Sequence, residues 1–164
     1  MQLNLKAQRL AKIAPFTVLE SEAVRLLAFD GEEMTVEPDA ELFRQGEAAD
    51  GGFAVLSGSI ALERRGELPT PVRLMGAGSL IGVHALIVAS ERPATATSRE
   101  KSFLIRLPRL LMLRVLEAFP ESAIAFRRYI EGSLAEQASA LGRVADAIDA
   151  VAKGYRSRES RTGT

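Results

Sequence analysis

Hydrophobic residues recur along the chain with three different spacings, and each spacing predicts a different kind of structure. In the first section, Leu3–Leu27, apolar residues recur every three to four positions, which is the pattern of an amphipathic helix. Pro15 interrupts this pattern, and Ser21 offers the start of a second helix. The section therefore predicts short N-terminal helices.

In the second section, roughly Glu33–Pro108, the apolar runs are shorter and are separated by glycines. Eight such runs read MTV, ELF, GGFAVL, SIALE, VRLM, SLIG, ATATS and SFLIRL. Strands of about four to six residues, with turn signals roughly every 8–12 residues, are typical of an antiparallel sandwich or barrel. Between two of these runs, Ser57–Gly58 predicts the turn of a tight hairpin.

The third section predicts two helices of unequal length. Apolar residues over Leu110–Ala118 predict a short amphipathic helix that ends before Pro120, because the residue before a proline disfavours the helical conformation. A long helix is predicted over about 121–152, a stretch without proline. Residues 1–152 are thus expected to form one domain, and the polar residues 153–164 a flexible tail.

The long helix carries an apolar seam with alternating spacings of four and three residues. Such a seam is typical of helices that pair as a coiled coil, and the alanines beside it would let two helices approach closely. The stripe could instead pack on the sandwich of its own chain, but the length of the seam favours a parallel homodimer. The predicted interface consists of Ile130, Leu134, Gln137, Leu141, Val144 and Ile148.

Composition excludes several classes of function. Lys and Arg total 21, as do Asp and Glu, so bulk positive charge cannot attract nucleic acid. With no cysteine and one histidine, the chain shows no metal-ligand spacing, and it has no catalytic nucleophile motif. No secretory signal or membrane-spanning run is recognised. We therefore expect a cytoplasmic, non-enzymatic protein that has no metal, cofactor or membrane partner.

One stretch carries candidate binding chemistry. In Ile81–Thr97, IGVHALIVASERPATAT, a single cation, Arg92, follows an apolar run and precedes side chains too short to shield it. An arginine fork beside exposed backbone N–H groups can bind an anion such as phosphate. The other interpretation is an ordinary surface arginine between two strands.

The order of elements and three motifs resemble the cyclic-nucleotide-binding domain, the sensor module of the catabolite-activator and fumarate-nitrate regulator superfamily. The motifs are ELFRQGEAADGGFAVLSGSIAL (Glu41–Leu62), LMGAGSLIG (Leu74–Gly82) and the Ile81–Thr97 stretch, which is similar to the phosphate-binding cassette of that family. The resemblance implies a mainly β fold, an eight-stranded antiparallel jelly-roll β-barrel with flanking helices. It also implies a regulatory, signalling role and a ligand such as cyclic AMP or cyclic GMP.

The resemblance further implies a set of ligand-binding residues, with Arg92 as the partner of the cyclic phosphate. A short helix starting near Val83 would offer N–H groups, Thr95 a hydroxyl, and Gln137 an amide for the base of the ligand across the dimer. The family's cassette glutamate, which receives the ribose hydroxyl, falls on Val83, and valine accepts no hydrogen bond. The implied set is Gly82, Val83, His84, Ala85, Arg92, Pro93, Ala94, Thr95 and Gln137.

Two functions are compatible with these observations. The first is a homodimeric module that binds a small anionic ligand and signals through its C-terminal helices to an unknown downstream protein. The second is a structural or protein-interaction dimer that has lost its ligand, since Val83 replaces the cassette glutamate. The residues after Lys153 are too few for a helix-turn-helix domain, so DNA binding is not expected.

Overall fold

The structure is a computed structural model that describes the backbone of residues 1–162 and the side chains of residues 1–136 and 146–150. The chain divides into two compact units, Met1–Phe126 and Arg127–Thr164. Within the described residues, all the buried apolar side chains belong to the first unit. None of the described helices is both long enough and apolar enough to cross a membrane.

The helices follow the predicted order of short helices first and a long helix last. Helix α2 begins at Ser21, as predicted, and helix α1 buries Leu10 completely. Helix α3 ends at Ala118, before Pro120, again as predicted. The helical elements are α1 Leu3–Ala11, a 3-10 turn Phe16–Val18, α2 Ser21–Asp30, a second 3-10 turn His84–Leu86, α3 Arg109–Ala118 and α4 Pro120–Thr162.

Ten short strands form the β part of the first unit. All eight apolar runs become strands, and two further strands, of two residues each, pair with one another. The strands are β1 Glu32–Val36, β2 Glu41–Phe43, β3 Ala48–Ala49, β4 Gly51–Ser57, β5 Ser59–Glu63, β6 Arg73–Gly76, β7 Leu80–Ile81, β8 Ser90–Glu91, β9 Thr95–Ser98 and β10 Ser102–Pro108. Sheet orders are β1-β10-β4-β7, β2-β9-β5-β6 and β3-β8.

The predicted eight-stranded closed barrel is not found among the described residues. The strands form three separate antiparallel sheets, and helices account for more residues than strands do, so the fold is mixed rather than mainly β. Strands β7 and β8 contribute only two residues each. Among the described residues, no ladder pairs a strand of one larger sheet with a strand of the other, so the sheets do not close into a cylinder.

The predicted hairpin at Ser57–Gly58 is also wrong. Strands β4 and β5 belong to different sheets, so Gly58 is the corner at which the chain changes sheet. Its φ of +95° is readily adopted only by glycine, and a Cβ there would overlap the Ser102 side chain. The Ser102 hydroxyl instead accepts a hydrogen bond from the Ser59 backbone N–H at 3.1 Å, which closes the corner.

The two larger sheets enclose an apolar core. Within this core the rings of Phe43 and Phe53 stack with centroids 5.9 Å apart. Burying each of these rings contributes about 1.5–3 kcal/mol to folding. The other members of the core cluster are Val36, Val55, Ile60, Ile81, Ala96 and Leu104.

The long helix α4 begins at Pro120 and continues to Thr162, so its backbone is helical through most of the segment predicted as a polar tail. Of the predicted seam, Ile130 is half-buried, whereas Leu134 and Ile148 are 47% and 63% exposed in the single chain. The other predicted interface residues, Gln137, Leu141 and Val144, lie outside the residues whose side chains the structure describes.

Candidate functional site

The Ile81–Thr97 stretch folds as the end of strand β7, a glycine turn, a 3-10 turn and strands β8 and β9. Gly82 adopts a φ of +80°, which turns the chain sharply after β7. The helix expected from Val83 is only the three-residue 3-10 turn His84–Leu86. A single turn builds almost no helix dipole, so an anion here would depend on the arginine more than on the helix end.

Arg92 is held against the core of the sandwich. Its side chain is only 5% exposed, and its Cζ lies 4.4 Å from the centroid of the Phe43 ring and 5.4 Å from that of Phe53. Both distances allow attraction between a cation and an aromatic face. A Cβ on Gly82 would stand 2.8 Å from Arg92 Nη1, so a side chain at this position would require the guanidinium to shift.

The charge of Arg92 is only partly neutralised. Its one ion pair among the described residues joins Nη2 to Asp50 Oδ1 at 4.0 Å, and Asp50 Oδ2 accepts a hydrogen bond from Arg106. Burial lowers the pKa of Arg92, while Asp50 raises it and the like charge of Arg106 lowers it further. The pKa of Arg106 is raised, first of all by its hydrogen bond to Glu32 at 2.9 Å. Asp50 is therefore shared by two guanidiniums.

The terminal nitrogens of Arg92 are not all bonded within the protein. No side-chain hydrogen bond of Arg92 is found within the described part of the chain, where every fully buried polar side-chain atom has a partner. The unbonded nitrogens must therefore keep some contact with solvent. A buried, aromatic-backed cation whose unbonded nitrogens keep a small contact with solvent can bind a compact anion through charge-assisted hydrogen bonds.

The remaining cassette residues differ in exposure. His84 and Pro93 are exposed, whereas Val83 and Ala94 are half-buried. Ala85 is buried, and its carbonyl accepts a hydrogen bond from Arg109 Nη1 at 3.3 Å. Ala85 therefore ties the cassette to the start of helix α3.

Thr95 is separated from Arg92. Side chains alternate along strand β9, with Ala96 fully buried in the core and Thr95 half-buried, so Thr95 points to the outer face. Its hydroxyl accepts a hydrogen bond from the Gln45 backbone N–H at 3.0 Å. The structure thus brings Gly82 and Arg92 together and separates Thr95 from them, while Gln137 lies outside the described side chains.

Sequence reasoning missed the residues that surround the guanidinium. These are the aromatic pair Phe43 and Phe53 and the shared carboxylate Asp50. In the motif EAADGG, Asp50 directly precedes two buried glycines, and this position next to the core could have identified it as a candidate site residue. No comparable signal links the two phenylalanines, because their meeting depends on sheet packing. Within the described residues, no group of three His, Asp or Glu could hold a metal ion.

Comparisons with known proteins agree with this architecture. A family model described as the cyclic nucleotide-binding domain matches residues 33–119. The chain is similar to a cyclic nucleotide-binding-like protein from Brucella abortus, with 31% identity, a TM-score of 0.61, and coverage of 68% of this chain and 97% of that one. Comparison with the curated proteins found no match.

Two other solved structures have comparable folds. The N-terminal domain of a transcriptional regulator from Streptomyces coelicolor has 26% identity and a TM-score of 0.70, with 77% of this chain and 90% of that one covered. The catabolite activator protein of Thermus thermophilus has 25% identity and a TM-score of 0.65, with coverages of 77% and 61%. The family that matches is a non-catalytic sensor and regulatory family, which confirms the prediction of a non-enzymatic protein.

Proposed function

Because the chain belongs to the cyclic nucleotide-binding domain family, we propose that it is a ligand-sensing module that binds a cyclic nucleotide or a related small anion at Arg92. The observation that carries the proposal is the buried guanidinium, which is backed by two aromatic rings and only partly neutralised by Asp50. A cation in this state gains more from an incoming anion than an exposed arginine does, because water screens it less.

In the proposed binding step, the phosphate of the ligand replaces the long Asp50 contact as the main partner of Arg92. Each charge-assisted hydrogen bond from the guanidinium would contribute about 1.5–3 kcal/mol. Asp50 would retain its hydrogen bond from Arg106, so its carboxylate would not be left unpaired. The exchange therefore costs little on the protein side.

Recognition of the sugar is expected to be weak. The position that would accept a hydrogen bond from a ribose hydroxyl is held by the apolar Val83. The missing charge-assisted bond corresponds to about a 10- to 150-fold loss of affinity. We therefore expect cyclic AMP or cyclic GMP to bind with modest affinity, unless a ligand without a ribose is preferred.

A path for the signal leads from the cassette to helix α3. Arg109, the first residue of α3, donates from Nη1 to the Ala85 carbonyl and, at 3.0 Å, to the Ala49 carbonyl. A shift of the cassette on ligand binding would move these acceptors and with them α3 and the start of α4. The ligand must bind the two arrangements with different affinity for any signal to pass. A downstream protein would respond to the change.

We further propose that the module is a homodimer joined through α4. The exposed Leu134 and Ile148 belong to a seam that is regular enough for coiled-coil pairing. An apolar stripe on a long helix in water is stabilised when a second helix covers it. In a dimer, a change at one cassette could be transmitted to the other copy.

The alternative function is a protein-interaction dimer that binds no ligand. Two observations favour it: Val83 removes one expected hydrogen-bond acceptor, and the guanidinium of Arg92 is already stacked on Phe43 and Phe53. In that case Arg92 would serve the stability of the core alone. Ligand titration separates the two functions.

The test is isothermal titration of the full chain with cyclic AMP and cyclic GMP. We expect saturable binding by the wild type and at least a ten-fold weaker Kd for Arg92→Met, which keeps the aliphatic packing but removes the charge. The control Arg99→Met removes an exposed arginine that pairs with Glu63, and it should leave the Kd unchanged.

The titration separates binding at Arg92 from binding elsewhere, and a ligand-sensing module from a ligand-free dimer. Binding that survives Arg92→Met would place the ligand elsewhere on the chain. An absence of heat with either nucleotide at millimolar concentration would favour the ligand-free dimer. Circular dichroism of each variant would verify that the fold is retained.

A further inference from the structure

An open cavity of about 640 Å³ lies on the outer side of the sandwich, where strands β2 and β5 end and strand β9 begins. Arg92 does not line it. The residues that do are Glu41, Arg44, Gln45, Gly46, Arg65 and Thr95. It is an open surface cleft and not an enclosed cavity, and two of the six lining residues are arginines.

Hydrogen bonds of Gln45 connect the three segments that line this cavity, namely its own turn and the segments of Arg65 and Thr95. Its side-chain amide donates to the Arg65 carbonyl at 3.0 Å and accepts from the Arg65 N–H at 2.8 Å. Its backbone N–H donates to the Thr95 hydroxyl. Arg65 and Thr95 are therefore held beside the same turn, which lowers the entropy lost when a ligand binds between them.

The cavity offers hydrogen-bond donors that lack protein partners. Arg44 uses its Nε for Glu41, and its two terminal nitrogens have no partner among the described residues. Within the same part of the chain, the Arg65 side chain belongs to none of the ion pairs. Since Thr95 Oγ1 accepts from Gln45, its hydroxyl proton is free to be donated. One carboxylate and two guanidiniums leave a net positive lining.

Gly46 lines the cavity at the turn after strand β2, and its φ of +89° is one that glycine adopts readily. None of the lining residues is aromatic or large and apolar. The cavity therefore lacks a surface on which a nucleobase could stack, and it also lacks the apolar anchors on which peptide binding depends.

We propose that this cavity is a second anion site, separate from Arg92, that binds a non-aromatic phosphorylated small molecule such as a sugar phosphate or polyphosphate. The guanidinium forks of Arg44 and Arg65 match the geometry of phosphate oxygens, and the Thr95 hydroxyl supplies a third donor. The proposal rests on these residues alone and does not depend on a ligand at Arg92.

The test is calorimetric titration of the full chain with inorganic pyrophosphate at low salt. We expect saturable binding that Arg65→Gln weakens by about ten-fold or more. Glu41→Gln should tighten binding, because it removes the only carboxylate of the lining; a loss of folding could not produce that gain. The control variant Arg99→Gln, which removes an exposed arginine paired with Glu63, should bind pyrophosphate like the wild type.

Three results would overturn the proposal. The first is no saturable binding by the wild type at millimolar pyrophosphate. The second is binding that Arg92→Met abolishes and Arg65→Gln leaves intact, which would place the anion at Arg92. The third is tighter binding of a short polyglutamate peptide than of pyrophosphate, which would identify the cavity as a docking surface for an acidic protein segment.

Discussion

Arg92 determines the chemistry of the cassette through its immediate surroundings. Burying a guanidinium is costly, and the faces of Phe43 and Phe53 offset part of that cost by roughly 0.5–2 kcal/mol. The only carboxylate in the described part of the chain that forms an ion pair with Arg92 is Asp50, which is shared with Arg106. The two rings thus position the Arg92 side chain, and its positive charge is only partly neutralised.

A substitution at Val83 tests the site at the scale of a single residue. Val83→Glu should tighten the binding of cyclic AMP by about ten-fold or more, because a carboxylate would accept a hydrogen bond from the ribose. Isothermal titration measures the change. The control Val88→Glu adds the same charge at a cassette residue that is 61% exposed, and it should have no effect. Unchanged or weaker binding by Val83→Glu would mean that Val83 does not face the sugar.

At the scale of elements, the short strands depend on packing against other elements, whereas the long helix forms its backbone hydrogen bonds within itself. Strands of two to seven residues form stable ladders only by packing against a second sheet, so their arrangement follows the core formed around Phe43 and Phe53. Helix α4 satisfies its own backbone hydrogen bonds, and its exposed leucine and isoleucine need a partner only for their side chains.

Helix α4 gives a prediction about assembly. Leu134→Asp should convert the proposed dimer into monomers, because a carboxylate at the seam would be buried without a partner. Sedimentation velocity measures the mass. Ala135→Asp, one position further along on an exposed site outside the seam, is the matched control and should leave the dimer intact. A dimer that survives Leu134→Asp would place the interface elsewhere, and Leu141→Asp would test the same seam a second time.

At the scale of the whole molecule, folding and association are expected to reside in different parts of the chain. All described buried apolar residues lie in the unit Met1–Phe126, and the proposed association seam lies in the unit Arg127–Thr164. The family model likewise matches only within the first unit, at residues 33–119. A domain with its own core has the requirement for independent folding.

A truncated chain of residues 1–126 tests this division. We expect it to unfold cooperatively on heating and to sediment as a monomer, since it keeps every buried apolar residue that the structure describes and lacks the seam. Circular dichroism and sedimentation velocity provide the two measurements, with the full chain as reference. An unfolded fragment would show that helix α4 is needed for folding, and a dimeric fragment would show that association does not require the seam.

The sequence by itself determined which elements form and which family they compose. Helical spacing, apolar runs and glycine positions are local properties, so all eight predicted runs became strands and α2 began at Ser21. The glycine-rich turns and the Ile81–Thr97 stretch were also sufficient to identify the family. The match of the family model to residues 33–119 confirms that identification. The two additional strands, β3 and β8, are too short to leave a periodic signal.

Only the tertiary structure decided which residues meet. Gly58 joins two sheets instead of turning a hairpin, Arg92 lies on two phenylalanines, and Thr95 faces an outer cavity away from it. Each of these outcomes depends on which strands are neighbours and on which face of a sheet a side chain lies. Such relations arise from packing between residues far apart in the chain, and no local pattern of hydrophobic and polar positions encodes them.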